Sequence, residues 1–136
     1  MQIVLDTNVL VSGLLSATGP PGRIVEAALA GHVQLVFGMA IRREYEDVLR
    51  RPELALPPDR VDDLFATIDE FGHRVAAVPS WSTELPDPND GMFLAVAAAT
   101  ENVLVTGNTR HFPQRCRGQV VVLTPRQFID RLSRQP

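Results

Sequence analysis

Lysine is absent from this 136-residue chain, and all thirteen basic residues are arginine. Without a lysine amine, the chain can support neither phosphate-loop nucleotide binding nor Schiff-base catalysis. The net charge of −3 at neutral pH argues against binding to nucleic acid through bulk positive charge alone. Contact with a polyanion would therefore require a local basic patch or a metal ion.

Cysteine and long apolar segments are also scarce. Cys116 is the only cysteine and has no partner at a zinc-ligand spacing, so we expect it to pack as a small apolar residue. No apolar run reaches the length of a membrane span, and the amino terminus lacks a secretion signal. We therefore expect a cytoplasmic protein without membrane contact. The length and the 45% hydrophobic content predict one domain over residues 1–136.

Two kinds of apolar segment alternate along the chain. Short runs that suit strands begin with Ile3-Val4-Leu5 and recur at 33–37, 74–78, 103–105 and 120–123. Segments with helical spacing lie at 9–15, 24–29, 39–51, 59–71 and 92–98, and from 124 onward. We expect residues 18–22 to separate the first two helices and Asp59 to cap the fourth. The alternation predicts an α/β protein, a three-layer α/β/α sandwich with a parallel sheet of five strands.

Acidic residues occur where these segments meet. Asp6 follows the first strand, Glu44 lies in the helix after the second, and Asp87 and Asp90 precede the fifth helix. Ligands of parallel α/β sheets bind at the carboxyl ends of the strands, where such residues would gather. Clustered carboxylates repel one another unless cations compensate. Oxygen ligands without Cys or His favour Mg²⁺ or Mn²⁺, which would support metal-assisted hydrolysis of a phosphodiester.

Asp6 also has a simpler possible role. Asp and Asn side chains satisfy the free N–H groups at helix starts, so Asp6 or Asn8 could cap the helix that begins near Val9. The recurrence of acids at other strand ends and helix starts favours a functional site over a cap.

Four short segments resemble, in order and spacing, the motifs of PIN-domain ribonucleases. They are Leu5-Asp6-Thr7-Asn8-Val9-Leu10, Glu44-Tyr45-Glu46-Asp47-Val48-Leu49, Asp87-Pro88-Asn89-Asp90 and Thr106-Gly107-Asn108. The similarity extends from residue 2 to about residue 130, and it is greatest to the VapC-like toxins of bacterial toxin–antitoxin pairs. It implies a Mg²⁺- or Mn²⁺-dependent endoribonuclease, frequent homodimers and, often, an antitoxin that blocks the site.

The same resemblance assigns roles to individual side chains. Asp6, Glu44 and Asp90 would be the catalytic residues and metal ligands, with Asp87 near them. The supporting polar residues would be Asn8, Thr106 and Asn108. Asn108 stands where many members of the family carry a fourth acid. Its amide offers an oxygen but no charge, so a second metal ion would be held less well.

Basic residues near these motifs are candidate contacts to RNA. Arg110 and His111 follow Asn108 closely. Arg43 lies beside Glu44, and it and the other arginines of its helix either form a solvated face or follow an RNA backbone. Apolar residues of the helices near 24–29 and 61–71 exceed what one small sheet face would cover, which also favours a homodimer.

Two other functions remain open at this point. A PIN-like domain could bind RNA or a protein and cleave only weakly, because Asn108 adds no charge to the site. A phosphotransfer domain with Asp6 as nucleophile fits less well. The haloacid-type pattern expects a second Asp where this chain has Asn8, and receiver-like domains rely on a lysine.

Overall fold

A five-stranded sheet forms the centre of the protein, whose computed structural model describes residues 1–134. The strands are β1 (Gln2–Leu5), β2 (Gln34–Phe37), β3 (His73–Arg74), β4 (Val103–Val105) and β5 (Val122–Leu123). They are arranged in the order β3-β2-β1-β4-β5, and every neighbouring pair is parallel. The predicted parallel sheet is confirmed. The last two residues of the predicted domain lie outside the described part of the chain.

Helices cover both faces of this sheet. They are α1 (Thr7–Leu15), α2 (Gly19–Leu29), α3 (Met39–Leu49), α4 (Pro58–Phe71), α5 (Gly91–Thr100) and α6 (Pro125–Ser133). The chain runs from β1 through β2 to β3 and then returns across the sheet to β4, so right-handed crossovers place α5 on the opposite face. Accordingly, α5 packs on β1, β2 and β4, while α2 packs against α1, α4 and α6. This is the predicted three-layer sandwich.

The most buried elements are those with continuous apolar sequences. Ile3, Val4 and Leu5 of β1 are completely buried, as expected for a central strand with helices on both faces. Helix α5 is apolar around most of its circumference, most of its residues are buried, and Trp81 lies close to Gly91 at its start. The Trp81 indole N–H donates to the backbone carbonyl oxygen of Cys116 at 2.9 Å. Cys116 itself is buried, in agreement with its predicted packing role.

Two helix starts differ from the predictions. Helix α2 begins at Gly19, so Pro20 and Pro21 lie in its first turn rather than in a break. Proline is tolerated there because the first N–H groups of a helix have no partner within the helix. Helix α4 begins at Pro58, so Asp59 lies in the first turn rather than at the cap. Its charge still favours the positive end of the helix dipole.

Helices α1 and α2 approach each other closely at Gly13. A Cβ atom at this position would lie 2.5 Å from a methyl group of Val25 and 2.6 Å from the carbonyl oxygen of Pro21. Only glycine fits at this crossing without a shift of one helix. Within residues 1–134, none of the helices is long and apolar enough to cross a membrane.

The third strand is shorter than predicted. It covers His73–Arg74 instead of 74–78, and the last backbone bond to β2 runs from the Val75 N–H to the Phe37 carbonyl oxygen at 2.9 Å. Its partner β2 ends at Phe37, so the residues after Val75 have no strand to pair with in the sheet. The fifth strand likewise shortens from 120–123 to Val122–Leu123.

The apolar faces of α2 and α4 are covered by the protein itself. Ile24, Val25, Leu64 and Ile68 are buried in the common core, and Phe71 is the large exception, with 64% of its surface exposed. The predicted surplus of apolar helix surface is therefore wrong, because α2, α4 and α6 pack on one another as well as on the sheet. The apolar surfaces of α2 and α4 therefore no longer support a homodimer, which stays a prediction from the resemblance.

Candidate active site

The carboxyl ends of β1 and β4 lie side by side at the centre of the sheet edge. Leu5 pairs with Val105, and the Asp6 N–H donates to the Val105 carbonyl oxygen at 2.9 Å. From β1 the chain continues to β2 on one side, while β4 lies on the other. Such a point, where the strand connections diverge, forms the ligand crevice of parallel α/β proteins. Asp6 and Thr106, the first residues after the two strands, therefore stand at its centre.

Asp6 is buried at this point and held by Thr106. The hydroxyl of the fully buried Thr106 donates to Asp6 Oδ2 at 2.7 Å. Asp6 occupies the cap position of α1, but its side chain makes no capping hydrogen bond. The Asp6 carboxylate is therefore oriented mainly by Thr106, while the backbone N–H groups of Thr7 and Asn8 at the start of α1 lie near enough to lower its pKa. Burial raises the pKa of Asp6, and the charge of Glu44 raises it further, against the lowering effect of the Thr106 hydrogen bond.

Glu44 reaches the same crevice from α3. Its Oε2 accepts a hydrogen bond from the hydroxyl of Thr7, a buried residue in the first turn of α1. The next residue, Tyr45, is completely buried, and its hydroxyl donates to the carbonyl oxygen of Leu5. These two contacts fix α3 against the end of β1. Sequence reasoning missed both Thr7 and Tyr45, although each adjoins an acid that it did select.

Asp87 and Asp90 are brought to the crevice by the short 3₁₀ turn Pro88–Asp90. Asp87 is exposed, and its Oδ1 accepts a hydrogen bond from the Asn89 N–H at 3.0 Å. Asp90 differs, because its Oδ2 is buried and has no hydrogen-bond partner among residues 1–134. A buried carboxylate oxygen without a donor is costly unless a cation or a proton satisfies it.

The electrostatics show that these carboxylates interact. Desolvation raises the pKa of Asp90 to about 6, and the charges of Asp6, Asp87 and Glu44 add to this effect, whereas His111 opposes it. A carboxylate whose pKa is raised by neighbouring negative charges favours a bound cation. All candidate ligands are oxygen atoms, which suit Mg²⁺ or Mn²⁺ better than zinc.

The described side chains do not form a complete metal cage by themselves. Among residues 1–134, no group of three or more His, Cys, Asp or Glu side chains already has the geometry of a metal site. Mg²⁺ usually keeps several waters and binds through only one or two carboxylates. The acidic crevice, with the unsatisfied oxygen of Asp90, therefore fits the donor chemistry of a partly hydrated divalent ion.

The polar residues after β4 tie the crevice together. Asn8 Oδ1 accepts a hydrogen bond from the Gly107 N–H at 3.1 Å, which joins the start of α1 to the end of β4. The Asn108 N–H donates to the Thr106 hydroxyl oxygen at 3.1 Å. Asn108 Nδ2 lies 3.0 Å from His111 Nε2, so its amide group is directed at the imidazole ring. The predicted supporting residues thus lie together, and their roles stay predictions.

The arginines of the α3 segment and Arg110 differ in whether they form ion pairs. Three arginines of the α3 segment form ion pairs with acids of α3 and α4; they are Arg42, Arg50 and Arg51. Arg43 and Arg110 are exposed and form no ion pair with any residue in the described range 1–134. The pairs of Arg42 with Asp69 and of Arg50 with Asp62 join α3 to α4, whereas the exposed guanidinium groups of Arg43 and Arg110 are available for a ligand.

Comparison with known proteins agrees with this architecture. A family model described as the PIN domain matches residues 2–110. A relative by sequence is an uncharacterized protein of Methanocaldococcus jannaschii. It is 21% identical over 145 aligned positions, which cover 98% of this chain and 93% of that protein.

Three solved structures share the fold. One is VapBC2 from Rickettsia felis bound to a DNA fragment from their promoter, with TM-score 0.60, 15% identity, and coverage of 91% of this chain and 98% of that chain. The second is a domain of a functionally unknown protein from Methanocaldococcus jannaschii, with TM-score 0.54, 17% identity, and coverage of 90% of this chain and 89% of that chain. The third is FitAcB from Neisseria gonorrhoeae, with TM-score 0.53, 18% identity, and coverage of 90% of this chain and 97% of that chain. Because the PIN-domain model matches most of its length, the chain belongs to the PIN-domain family, whose members are generally nucleases.

Proposed function

We propose that this protein is a Mg²⁺- or Mn²⁺-dependent endoribonuclease and the toxin of a toxin–antitoxin pair. The proposal is supported by the acids Asp6, Glu44 and Asp90 near the carboxyl edge of the sheet, where burial and neighbouring carboxylates raise the pKa of Asp6 and of Asp90 and one buried oxygen of Asp90 is unsatisfied. The resemblance to VapC-like ribonucleases and the fold shared with VapBC2 support the toxin assignment. A cytoplasmic location is part of the same proposal.

The chain's own residues would prepare the site for hydrolysis. Asp6, Glu44 and Asp90 would hold the ion, with Asp87 at the exposed margin. Thr106 fixes the orientation of the Asp6 carboxylate and Thr7 that of Glu44, so neither has to be ordered when the ion binds. A bound divalent ion supplies charge stabilisation at the phosphate and acidifies a water molecule. Water adds to phosphorus, one P–O bond to ribose breaks, and the departing oxygen takes up a proton.

The distribution of charge supports a polyanionic substrate. Residues 101–136 contain six arginines and two acids, whereas residues 1–100 contain seven arginines and fourteen acids. The Thr106 N–H donates to the Leu123 carbonyl oxygen at 3.0 Å, so the start of α6 lies beside the crevice. Exposed Arg126 in that helix and exposed Arg110 after β4 would be available to contact phosphates of the substrate. Arg43 offers a third contact from α3.

A second candidate function is RNA binding with weak cleavage. It is favoured by one observation: the Asn108 amide is directed at the His111 ring, so the position of the family's fourth acid adds no charge to the crevice. Phosphotransfer through Asp6 is less consistent with the structure. Asn8 takes the place of the second acid of that chemistry, and its side chain is occupied by the Gly107 N–H.

An antitoxin has a suitable surface beside the crevice. A groove of about 780 Å³ lies between the start of α3, the segment after β3 and the start of α5, and Met39, Val78 and Met92 are among its lining residues. Asn89 also lines it, so the groove opens next to Asp90. An extended peptide with apolar side chains would fit the groove and, from there, would block the acidic crevice. A homodimer, as the resemblance implies, completes the expected assembly.

Cleavage of a closed circular RNA tests the proposal, because only an endonuclease opens a circle. We expect the wild type to cleave it with Mg²⁺ or Mn²⁺ and to be inactive with chelator. Asp6→Asn should be inactive, since it removes a charged ligand. Asp47→Asn removes the same charge from an exposed site on α3 and should match the wild type. Binding without cleavage by the wild type would favour the second function, and equal cleavage in chelator would contradict the metal dependence.

A further inference from the structure

Three of the four carboxylates at the sheet edge accept a hydrogen bond from this chain. The pairs are Thr106 with Asp6, Thr7 with Glu44, and the Asn89 N–H with Asp87. Asp90 is the exception, since its buried Oδ2 accepts none within residues 1–134. The His111 ring faces this oxygen, with Nδ1 at 3.6 Å from Oδ2. This separation is longer than a normal hydrogen bond, and a small rotation of either side chain would close it.

Asn108 determines which ring nitrogen of His111 carries the proton. Its Nδ2 lies 3.0 Å from His111 Nε2. An amide nitrogen is only a donor, so Nε2 of a neutral ring must accept, and the ring proton must be on Nδ1. Nδ1–H then points toward Asp90. The opposite amide orientation would place the proton on Nε2 and turn a lone pair of Nδ1 toward the carboxylate, which is repulsive.

The local backbone holds this arrangement in place. Thr109–His111 is a 3₁₀ turn, and the His111 N–H donates to the Asn108 carbonyl oxygen at 3.2 Å. The next residue, Phe112, is completely buried and anchors the turn in the core. The Asn108 N–H also donates to the Thr106 hydroxyl oxygen, and that hydroxyl donates to Asp6. Hydrogen bonds therefore connect Asp6 through Thr106 and Asn108 to His111, whose ring faces Asp90.

We propose that His111, oriented by Asn108, is a positioning residue that holds the Asp90 carboxylate for cation binding. Asn108 then acts through the imidazole ring and not as a metal ligand. The sequence suggests His111 as a contact to RNA, but in this proposal its main role is to hold Asp90. The inference rests on the metal site of the proposed function. A carboxylate has lone pairs on both oxygens, so Asp90 can accept from His111 and still bind a cation. Outer donors of this kind typically change metal affinity 10–100-fold.

Two substitutions of His111 separate a positioning role from a merely structural one. In His111→Asn the amide nitrogen is as many bonds from the backbone as Nδ1, so a donor toward Asp90 remains. In His111→Gln the amide nitrogen takes the place of Nε2 and faces Asn108 instead. By titration calorimetry of the full chain, we expect His111→Gln to bind Mn²⁺ about tenfold more weakly or worse. His111→Asn should bind it nearly as tightly as the wild type, and Arg115→Ala, at an exposed residue with no assigned role, should not change the affinity.

Long-range ¹H–¹⁵N spectra of the wild-type imidazole test the contact directly. At about pH 8, where a histidine side chain is ordinarily neutral, we expect the Nδ1–H tautomer for His111, and Asn108→Ala should lose this preference. An Nε2–H tautomer in the wild type would overturn the proposal, as would equal Mn²⁺ affinities of all variants or equal losses in His111→Asn and His111→Gln. Tight Mn²⁺ binding without RNA cleavage would instead contradict the nuclease function and leave the His111 results decisive on their own.

Discussion

Replacement of Asp90 by Asn should stabilise the metal-free protein at neutral pH. Desolvation and the charges of Asp6, Asp87 and Glu44 raise the pKa of Asp90 from 3.8 to about 6. Because the folded-state pKa lies above the unfolded value, the folded protein binds this proton more tightly. The stabilising contribution is complete below pH 3.8 and is lost as the pH rises through about 6. At neutral pH the ionised carboxylate therefore destabilises the fold, and Asn removes that effect.

The size of the effect follows from the shift. One pKa unit corresponds to about 1.36 kcal/mol, so the change from 3.8 to about 6 sets an upper limit of about 3 kcal/mol. The Asp90 side chain keeps 14% of its surface exposed at the mouth of an open crevice, where water and salt weaken the repulsion. We therefore expect a gain of about 1–2 kcal/mol in the free energy of unfolding.

Urea denaturation with a chelator, at a series of pH values from about 4 to 8, measures this difference. The curves of the wild type and Asp90→Asn should separate as the pH rises and approach each other in acid. Asp87→Asn, which alters an exposed carboxylate, should have a smaller effect. With Mn²⁺ the order should reverse, because a bound ion stabilises only the wild type. A loss of stability in metal-free Asp90→Asn at neutral pH would refute the reasoning and indicate a structural role for the carboxylate.

Three further substitutions test individual contacts. Thr7→Val removes the donor to Glu44 and should weaken Mn²⁺ binding about tenfold in calorimetry, with unchanged affinity as the contrary result. Tyr45→Phe leaves the buried Leu5 carbonyl oxygen without its donor and should cost about 1–3 kcal/mol in urea unfolding; a neutral effect would contradict the contact. Gly13→Ala places a Cβ 2.5 Å from a side-chain carbon of α2 and should cost about 1–3 kcal/mol, whereas a more stable variant would exclude the close crossing.

The sequence predicted those elements whose pattern is determined by burial alone. The run Ile3-Val4-Leu5 and the nearly all-apolar α5 are buried as expected, because no other environment suits them. Element ends depend on contacts that a local pattern does not contain. The third strand ends after Arg74 because its only partner, β2, ends at Phe37. The predicted apolar surplus of α2 and α4 failed for the same reason, since helix-on-helix packing was not visible in either segment.

The acids of the site were accessible to sequence reasoning, but their partners were not. Asp6 follows β1, Asp90 directly precedes α5 and Glu44 lies within α3, so the topology of a parallel sheet predicts that all three lie near the carboxyl edge of the sheet. Thr7 and Glu44 form a hydrogen bond although they are 37 residues apart in the sequence. The local sequence around Thr7 does not indicate this contact. The direction of the Asn108 amide toward His111 depends on the 3₁₀ turn after β4, which no periodicity predicts.

Anomalous diffraction from crystals grown with Mn²⁺ tests most directly whether the carboxylates of Asp6, Glu44 and Asp90 bind one divalent cation. We predict an anomalous difference peak in the crevice after β1 and β4, with carboxylate oxygens of these residues at about 2 Å or joined to it through a water. The same crystals of Asp6→Asn should show a weaker peak or none. At saturating Mn²⁺, a wild-type map with no peak in this crevice, or with its strongest peak elsewhere on the protein, would show that Asp6, Glu44 and Asp90 do not form the cation site.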